Sequence, residues 1–353
     1  MFFPQPLRWS EYLTGLALAT LINSLVCQGD AVAQSQPLQP LQVVTTILPI
    51  SQFTNAVAGE RAEVIPLLPP NVGPHDYQAR PQDVQALAQA NVLVINGLEM
   101  EAFLEGLVEN AGNANLKTID TSEGIPPLQS SEAEPEGSHE HGHEHEHGHE
   151  HGEFNPHIWL DPKRAIQQVE NIRDGLIAAD PEGQAVYTAN ASAYIQQLQQ
   201  LDQETASLLQ PYAGKTFVTY HDFAPYFADS YGLQVEFLVG VPDENPAPAD
   251  VKRVMDAVQQ SGLKTLLTEV QVGDDNPFRA IAQDLKVSIS VFDPVETGSD
   301  KAMQPDYYLA VMRQNVQNLW AAFASQPISH WGSPFSVLGL AAASQTAILS
   351  EGR

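Results

Sequence analysis

The chain reads as an α/β protein. It has two lobes, each with a mostly parallel four-stranded sheet, joined by one long rigid helix. Three observations predict this. Short runs rich in β-branched residues alternate with helical patterns over residues 43–120, the same alternation resumes over 216–292, and between them lies a helical stretch, 162–210, without a strand signal. Strands alternating with helices argue for parallel sheets with covering helices.

In the first lobe the expected strands are VVTTI (43–47), AEVIPLL (62–68), VLVIN (92–96) and LKTID (116–120). Helices are expected over 50–58, 81–90 and 100–110, the second opened by Pro81, a residue favoured in the first helical turn. Residues 121–153, dominated by Pro, Gly, Ser, Glu and His, break the pattern and read as a loop, and the apolar-free stretch 139–151 within them buries no core. In the helical stretch, Tyr187, Tyr194, Leu198, Leu201 and Leu208 recur at roughly helical spacing. Asp180 is the expected N-cap there, with Pro181 at the first helical position. In the second lobe TFVTY (216–220), LQVEFLV (233–239), KTLLTEV (264–270) and VSISVF (287–292) are the strands, with helices at Pro248–Ser261 and Pro277–Leu285. The expected organisation is a signal peptide at 1–33, an N-terminal lobe at 40–160 that includes the loop 121–153, a connecting helical segment at 162–212, a C-terminal lobe at 213–326, and a tail at 327–353 without an assigned role.

The N-terminus has the layout of a secretory signal: Arg8, an apolar run over 13–26, then Ala31-Val32-Ala33. Cys27, the only cysteine, lies within it, so cleavage after Ala33 leaves no thiol for a disulfide; acylation at Cys27 is the alternative, lipid-anchored reading. A chain with 43 acidic and 16 basic residues, net charge -27, is poorly suited to nucleic acid, whose phosphates need a basic patch. An acidic surface instead concentrates cations.

In open α/β sheets, ligands bind beyond the carboxyl ends of the strands. Four residues stand there: His75 in NVGPHDYQARP, His157 in NPHIWLDP, His221 in TFVTYHDF and Asp293 in SVFDP. A lone histidine beside a strand is more often a structural hydrogen-bonder. The four together, two from each lobe, describe a metal site in the cleft between the lobes. Three imidazoles and a carboxylate suit tetrahedral Zn²⁺, whereas Mn²⁺ prefers more oxygen. Glu269 in LLTEVQ, a spare carboxylate after a strand, is the alternative fourth ligand. Asp76, Asp161 and Asp222 are candidates to orient the imidazoles, and each could equally cap a helix. Tyr77, Trp159 and Tyr220 read as packing residues. The repeat HEHGHEHEHGHEH places His139, His141, His143, His145, His147, His149 and His151 at every second position. This is an accessory metal loop, read as a low-affinity zinc collector in preference to a sensor or a plain spacer.

GPHDYQARP, NPHIWLDP, TYHDF and SVFDP resemble, in order and lobe, the metal-binding motifs of the solute-binding proteins of zinc and manganese ABC importers, over roughly residues 40–325. The acidic His-rich loop is similar to that of the zinc-importing, ZnuA-type branch, and His221 stands where the manganese branch typically has Glu. The resemblance implies capture without catalysis. A monomer would bind Zn²⁺ as its transported ligand in the periplasm and pass it to a membrane permease with a cytoplasmic ATPase, touching the membrane only through that permease. It implies ligation by His75, His157, His221 and Asp293, with water as the alternative at the fourth position in zinc-binding relatives, and the rigid connecting helix suggests only small lobe motions. The rival classes are a manganese-binding relative, a zinc hydrolase, for which HExxH is missing, and a surface protein that sequesters metal without a transporter.

Overall fold

A computed structural model describes residues 40–104, 106–130, 153–240, 246–270 and 277–324, without the side chains of Asp76 and Asp300. The signal segment with Cys27, the seven histidines 139–151 and the tail with His330 lie outside the described residues.

The first sheet contains β1 (Leu41–Thr45), β2 (Ala62–Pro66), β3 (Val92–Ile95) and β4 (Lys117–Asp120), all parallel, in the order β2-β1-β3-β4. Its helices are α1 (Leu48–Ala58), α2 (Pro81–Gln89) and α3 (Leu107–Ala111). Val43, Val44, Val92 and Val94 are fully buried, as expected of parallel strands covered on both faces. The helix expected over 100–110 is broken. A 3-10 turn, Ala102–Leu104, and α3 take its place, with Gly106 left-handed at φ 75° between them. The cause lies upstream. Gly97, Leu98 and Glu99 all have positive φ. Buried Glu101 secures this turn, accepting the backbone N–H groups of Asn96 at 2.6 Å and Gly97 at 3.2 Å and the Thr46 hydroxyl at 2.6 Å. Burial raises its carboxyl to about 7, against the pull of those three donors.

The helical stretch divides into α4 (Pro162–Ala179) and α5 (Gln184–Leu209), broken at Asp180 and the 3-10 turn Pro181–Gly183. Pro181 opens that turn as expected. The Asp180 side chain does not cap it and instead accepts from Arg61 at 2.7 Å and from Tyr187 at 2.8 Å. With 26 residues, α5 is the long rod, about 39 Å at 1.5 Å per residue. It buries Tyr187, Ala191, Tyr194, Leu198, Leu201, Thr205 and Leu209, a stripe at helical spacing.

The second sheet contains β5 (Thr216–His221), β6 (Gln234–Val239), β7 (Thr265–Thr268) and β8 (Ser288–Val291), again all parallel, in the order β6-β5-β7-β8. Its helices are α6 (Pro225–Ser230), α7 (Pro248–Ser261), α8 (Pro277–Leu285) and α9 (Pro305–Ala324). Among these, α9 has no counterpart in the sequence expectations. None of the described helices is long and apolar enough to cross a membrane.

Three aromatic rings join the lobes to the rod. Phe53 of α1 lies 6.0 Å from Tyr194 of α5 and 4.9 Å from Tyr308 of α9. Burial of side chains this large contributes roughly 2 kcal/mol or more apiece. Polar ties run alongside: Tyr194 donates to the Pro305 carbonyl at 3.0 Å, Asn190 to the Val57 carbonyl at 3.1 Å and Gln52 to the Ala302 carbonyl at 2.5 Å. One hydrophobic core runs from Val43 and Phe53 through the rod to Phe217, Phe292 and Tyr308. The lobes are therefore packed on a common spine.

Candidate metal centre

Each sheet has its topological switch where the chain order reverses, between β1 and β3 and between β5 and β7. The segments that follow β2, β5 and β8, with the one that leads into α4, meet in the cleft. His75 comes from the 3-10 turn Pro74–Asp76 after β2. Its neighbour Tyr77 anchors that turn by donating to the Asp83 carboxylate and packing on Phe103 with ring centroids 4.9 Å apart. His157 precedes the 3-10 turn Ile158–Leu160, which leads through Asp161 into α4. Ile158, Trp159 and Leu160 are fully buried and hold it in place. His221 is the last residue of β5 and is fully buried.

The fourth member of the group is Glu296. Its Oε1 lies 3.4 Å from His75 Nε2, 3.1 Å from His157 Nε2 and 3.5 Å from His221 Nε2. Each of the four residues offers an atom within 4.8 Å of the others. Glu296 is 2% exposed, and the His75 side chain, 23% exposed, is the member that solvent reaches. The expectation that Asp293 supplies the carboxylate is thus corrected by the geometry. Asp293 is held by its own loop: its N–H donates to Asn315 Oδ1 at 2.8 Å, its carbonyl accepts from Asn315 Nδ2 at 2.7 Å, and its Oδ1 accepts the Val295 N–H at 2.8 Å. The chain then passes through Val295 at φ 61°, a left-handed conformation that a β-branched residue rarely adopts. Trp159 Nε1 donates to the Pro294 carbonyl at 2.8 Å. That kink directs the next residue, Glu296, at the imidazoles. An acid four residues beyond the expected strand 287–292 was the only sequence signal for it. No residue type at 295 announces the positive φ.

The residues behind the imidazoles also differ from expectation. Asn155 Oδ1 lies 3.0 Å from both the backbone N and Nδ1 of His157. Glu269 Oε1 lies 2.6 Å from His221 Nδ1 and accepts the His221 backbone N–H at 3.0 Å. Glu269 therefore stands behind a ring and is not one of the four converging groups. Asp161 caps α4, accepting from Lys163 N at 3.2 Å, Arg164 at 2.7 Å and the Ser230 hydroxyl at 2.7 Å. Asp222 meets this network through its carbonyl, which accepts from Asn155 Nδ2 at 2.7 Å. The Asp76 side chain is outside the described residues. Trp159 packs on His157 at 5.1 Å and Tyr220 on Phe278 at 5.6 Å, both as packing residues.

The electrostatics are those of a buried, coupled group. Burial lowers His157 to about 4, although Glu296 pulls upward. Burial also acts to lower His221, but Glu269 and Glu296 overcome it and raise it to about 10. Burial alone lifts the Glu296 carboxyl; the attraction of His221 and His75, with hydrogen bonds from His157 and His221, holds it well below the ordinary carboxylate range. Desolvation, reinforced by repulsion from Glu296 and Glu269, pushes Asp293 up to about 7. A cation among the Nε2 atoms satisfies all four groups at once, because every imidazole then presents a lone pair and the carboxylate keeps a positive neighbour.

Two parallel-sheet lobes on a shared spine, with three imidazoles and a carboxylate converging in the cleft, define a class: the two-lobed solute-binding folds. The chain belongs to the family described as zinc-uptake complex component A, periplasmic, or ZnuA, whose pattern matches residues 43–322. It is 34% identical over 292 residues to the zinc-binding lipoprotein AdcA of Streptococcus pneumoniae, a match that covers 81% of this chain and 56% of AdcA. The chain thus spans little more than half the length of that relative. It is 28% identical over 296 residues to the manganese-binding lipoprotein MntA of Halalkalibacterium halodurans, covering 82% of this chain and 91% of MntA. The Zn(II)-bound ZnuA-like domain of Streptococcus pneumoniae AdcA superposes with a TM-score of 0.66 at 29% identity, covering 80% of this chain and 99% of that domain.

Proposed function

We propose that this protein captures Zn²⁺ outside the cytoplasm and delivers it to the permease of an ABC importer. His75, His157, His221 and Glu296 hold the ion. The observation that carries this reading is the convergence of three Nε2 atoms on one carboxylate oxygen. Three nitrogen donors and a single oxygen suit borderline-soft zinc better than hard manganese. Four protein ligands complete a tetrahedral shell, which favours capture over hydrolysis, since a catalytic zinc keeps a position open for water. The names of AdcA and the ZnuA family support zinc, while MntA keeps manganese as the second reading. Export through residues 1–33 agrees with the periplasmic family, and a lipid anchor at Cys27 agrees with the lipoprotein relatives.

The common spine of α1, α5 and α9 favours small lobe motions over wide closure. Release then requires the permease to disturb a ligand or a lobe contact. One such contact is the Gly298 N–H donating at 2.6 Å to the Pro70 carbonyl, which ties the loop of Glu296 to the loop of His75. On this reading the seven histidines 139–151 serve as an accessory collector. Support comes from their described flanks: the bridge between Gln129 and Phe154 ends one residue before Asn155, the partner of His157.

Chelator-competition titration with Zn²⁺ and Mn²⁺ separately, on the chain with and without residues 138–153, tests the proposal. One tight zinc site surviving the deletion, with manganese at least about 100-fold weaker as the donor set implies, is the expected result. Loss of tight zinc binding on deletion would transfer the site to the repeat. Equal or tighter manganese binding would move the protein to the manganese-binding side of its family.

A further inference from the structure

Among the described residues, the far nitrogens of His157 and His221 face protein partners that differ in charge. His157 Nδ1 faces the neutral amide oxygen of Asn155 at 3.0 Å. His221 Nδ1 faces the Glu269 carboxylate at 2.6 Å. The same Glu269 oxygen accepts the His221 backbone N–H at 3.0 Å, so ring and strand end are gripped together. Glu269 is 2% exposed and directly follows β7, the strand beside β5 at the switch point of the second sheet.

We infer that Glu269 is a positioning residue for the metal centre: it fixes the His221 tautomer that turns the Nε2 lone pair into the cleft, and it supplies the second negative charge that a buried divalent cation needs. The inference rests on the reading of the cleft as a divalent-metal site. A neutral imidazole has one N–H and one lone pair. With Nδ1–H donated to Glu269, the lone pair is left on Nε2, the atom that faces His157 Nε2 at 3.4 Å and Glu296 Oε1 at 3.5 Å. A carboxylate in this place makes the imidazole a stronger donor than an amide does. Charge gives the second reason. A dication bound by three neutral imidazoles and Glu296 keeps one net positive charge, and burying an uncompensated charge is costly. Glu269 neutralises it without occupying a coordination position, because its bonded oxygen faces Nδ1 on the far side of the ring. Asn155 cannot do this for His157, so the two buried imidazoles are unequal donors.

The test compares the parent chain with Glu269→Gln and Glu269→Ala. Zinc affinity is read by chelator competition, folding by the apo-protein's thermal midpoint, and the His221 ring by ¹⁵N NMR of the zinc-loaded protein. Glutamine can present its carbonyl oxygen to both N–H groups, so it keeps the tautomer and removes only the charge. The expected zinc affinity is about 10-fold lower for Glu269→Gln and about 100-fold lower for Glu269→Ala, the range for partners behind a metal ligand. The parent and Glu269→Gln are expected to show a proton on His221 Nδ1 and zinc on Nε2. If both variants bind zinc within about twofold of the parent, or if zinc sits on Nδ1 in the parent, the inference fails while the metal site stands. A parent chain without tight zinc binding overturns both. Should Glu269→Ala fail to fold, Glu269→Gln and the parent spectrum decide.

Discussion

Replacing Glu296 by glutamine is expected to lower zinc affinity about 100- to 1,000-fold. Four-ligand zinc centres bind with roughly 10–16 kcal/mol, so each ligand carries about 3 kcal/mol on average, and about 1.4 kcal/mol is tenfold. Among the described residues, Glu296 brings one carboxylate oxygen within 3.5 Å of all three Nε2 atoms. Glutamine keeps the size and a coordinating oxygen but loses the charge. The paired substitution Asp293→Asn is expected to cost less than about tenfold, the lower edge of what a residue outside the coordination shell contributes. Asp293 spends its Oδ1 on the Val295 N–H and its backbone on Asn315. Its part is to shape the turn that delivers Glu296. Chelator competition on the two variants side by side checks this. The reverse order of effects would return the fourth position to Asp293.

Zinc affinity is expected to fall about tenfold per pH unit as pH drops from 8 to 6, roughly 100-fold in all. Glu269 and Glu296 hold His221 up to about 10 in the metal-free protein, so over this range its imidazole carries a proton that zinc must displace. A group raised in this way is protonated below its pKa, so each unit of acid adds a factor of about ten to the competition for every proton released. His157 follows the opposite course. Burial lowers it to about 4, so it is neutral across this range and steepens the loss only near that value. Calorimetry in buffers of different ionisation enthalpy gives the proton count directly. An affinity flat between pH 8 and 6, with no proton released, would contradict this electrostatic picture of the cleft.

The legible part of the protein follows from patterns that are local in sequence. The apolar runs at Val43–Val44 and Val92–Val94 lie in covered parallel strands, and the spacing of Tyr187, Tyr194, Leu198 and Leu201 marks the buried face of the rod. The three histidines were legible because each follows an expected strand or the polar loop and because the chain uses histidine sparingly elsewhere. What escaped depends on backbone conformations that side-chain identity does not reveal. Leu98, Glu99 and Val295 are ordinary residues held at positive φ by tertiary contacts: Glu101 secures the first turn, while Asn315, through Asp293, and Trp159 secure the second. These kinks break the 100–110 helix and exchange Asp293 for Glu296. Asn155 went unread, and Glu269 was read only as an alternative ligand, for a different reason. One is a neutral amide, the other an acid 48 residues from its imidazole, and only the register of β5 beside β7 brings Glu269 to His221.

Zinc K-edge X-ray absorption on the chain lacking residues 138–153, loaded with one equivalent of Zn²⁺, tests the central claim most directly. The expected result is a four-coordinate ion with only nitrogen and oxygen neighbours near ~2.0 Å and the outer-shell scattering of three imidazoles. Fewer than three imidazoles, or a six-coordinate oxygen-rich shell, would contradict capture of zinc by His75, His157, His221 and Glu296.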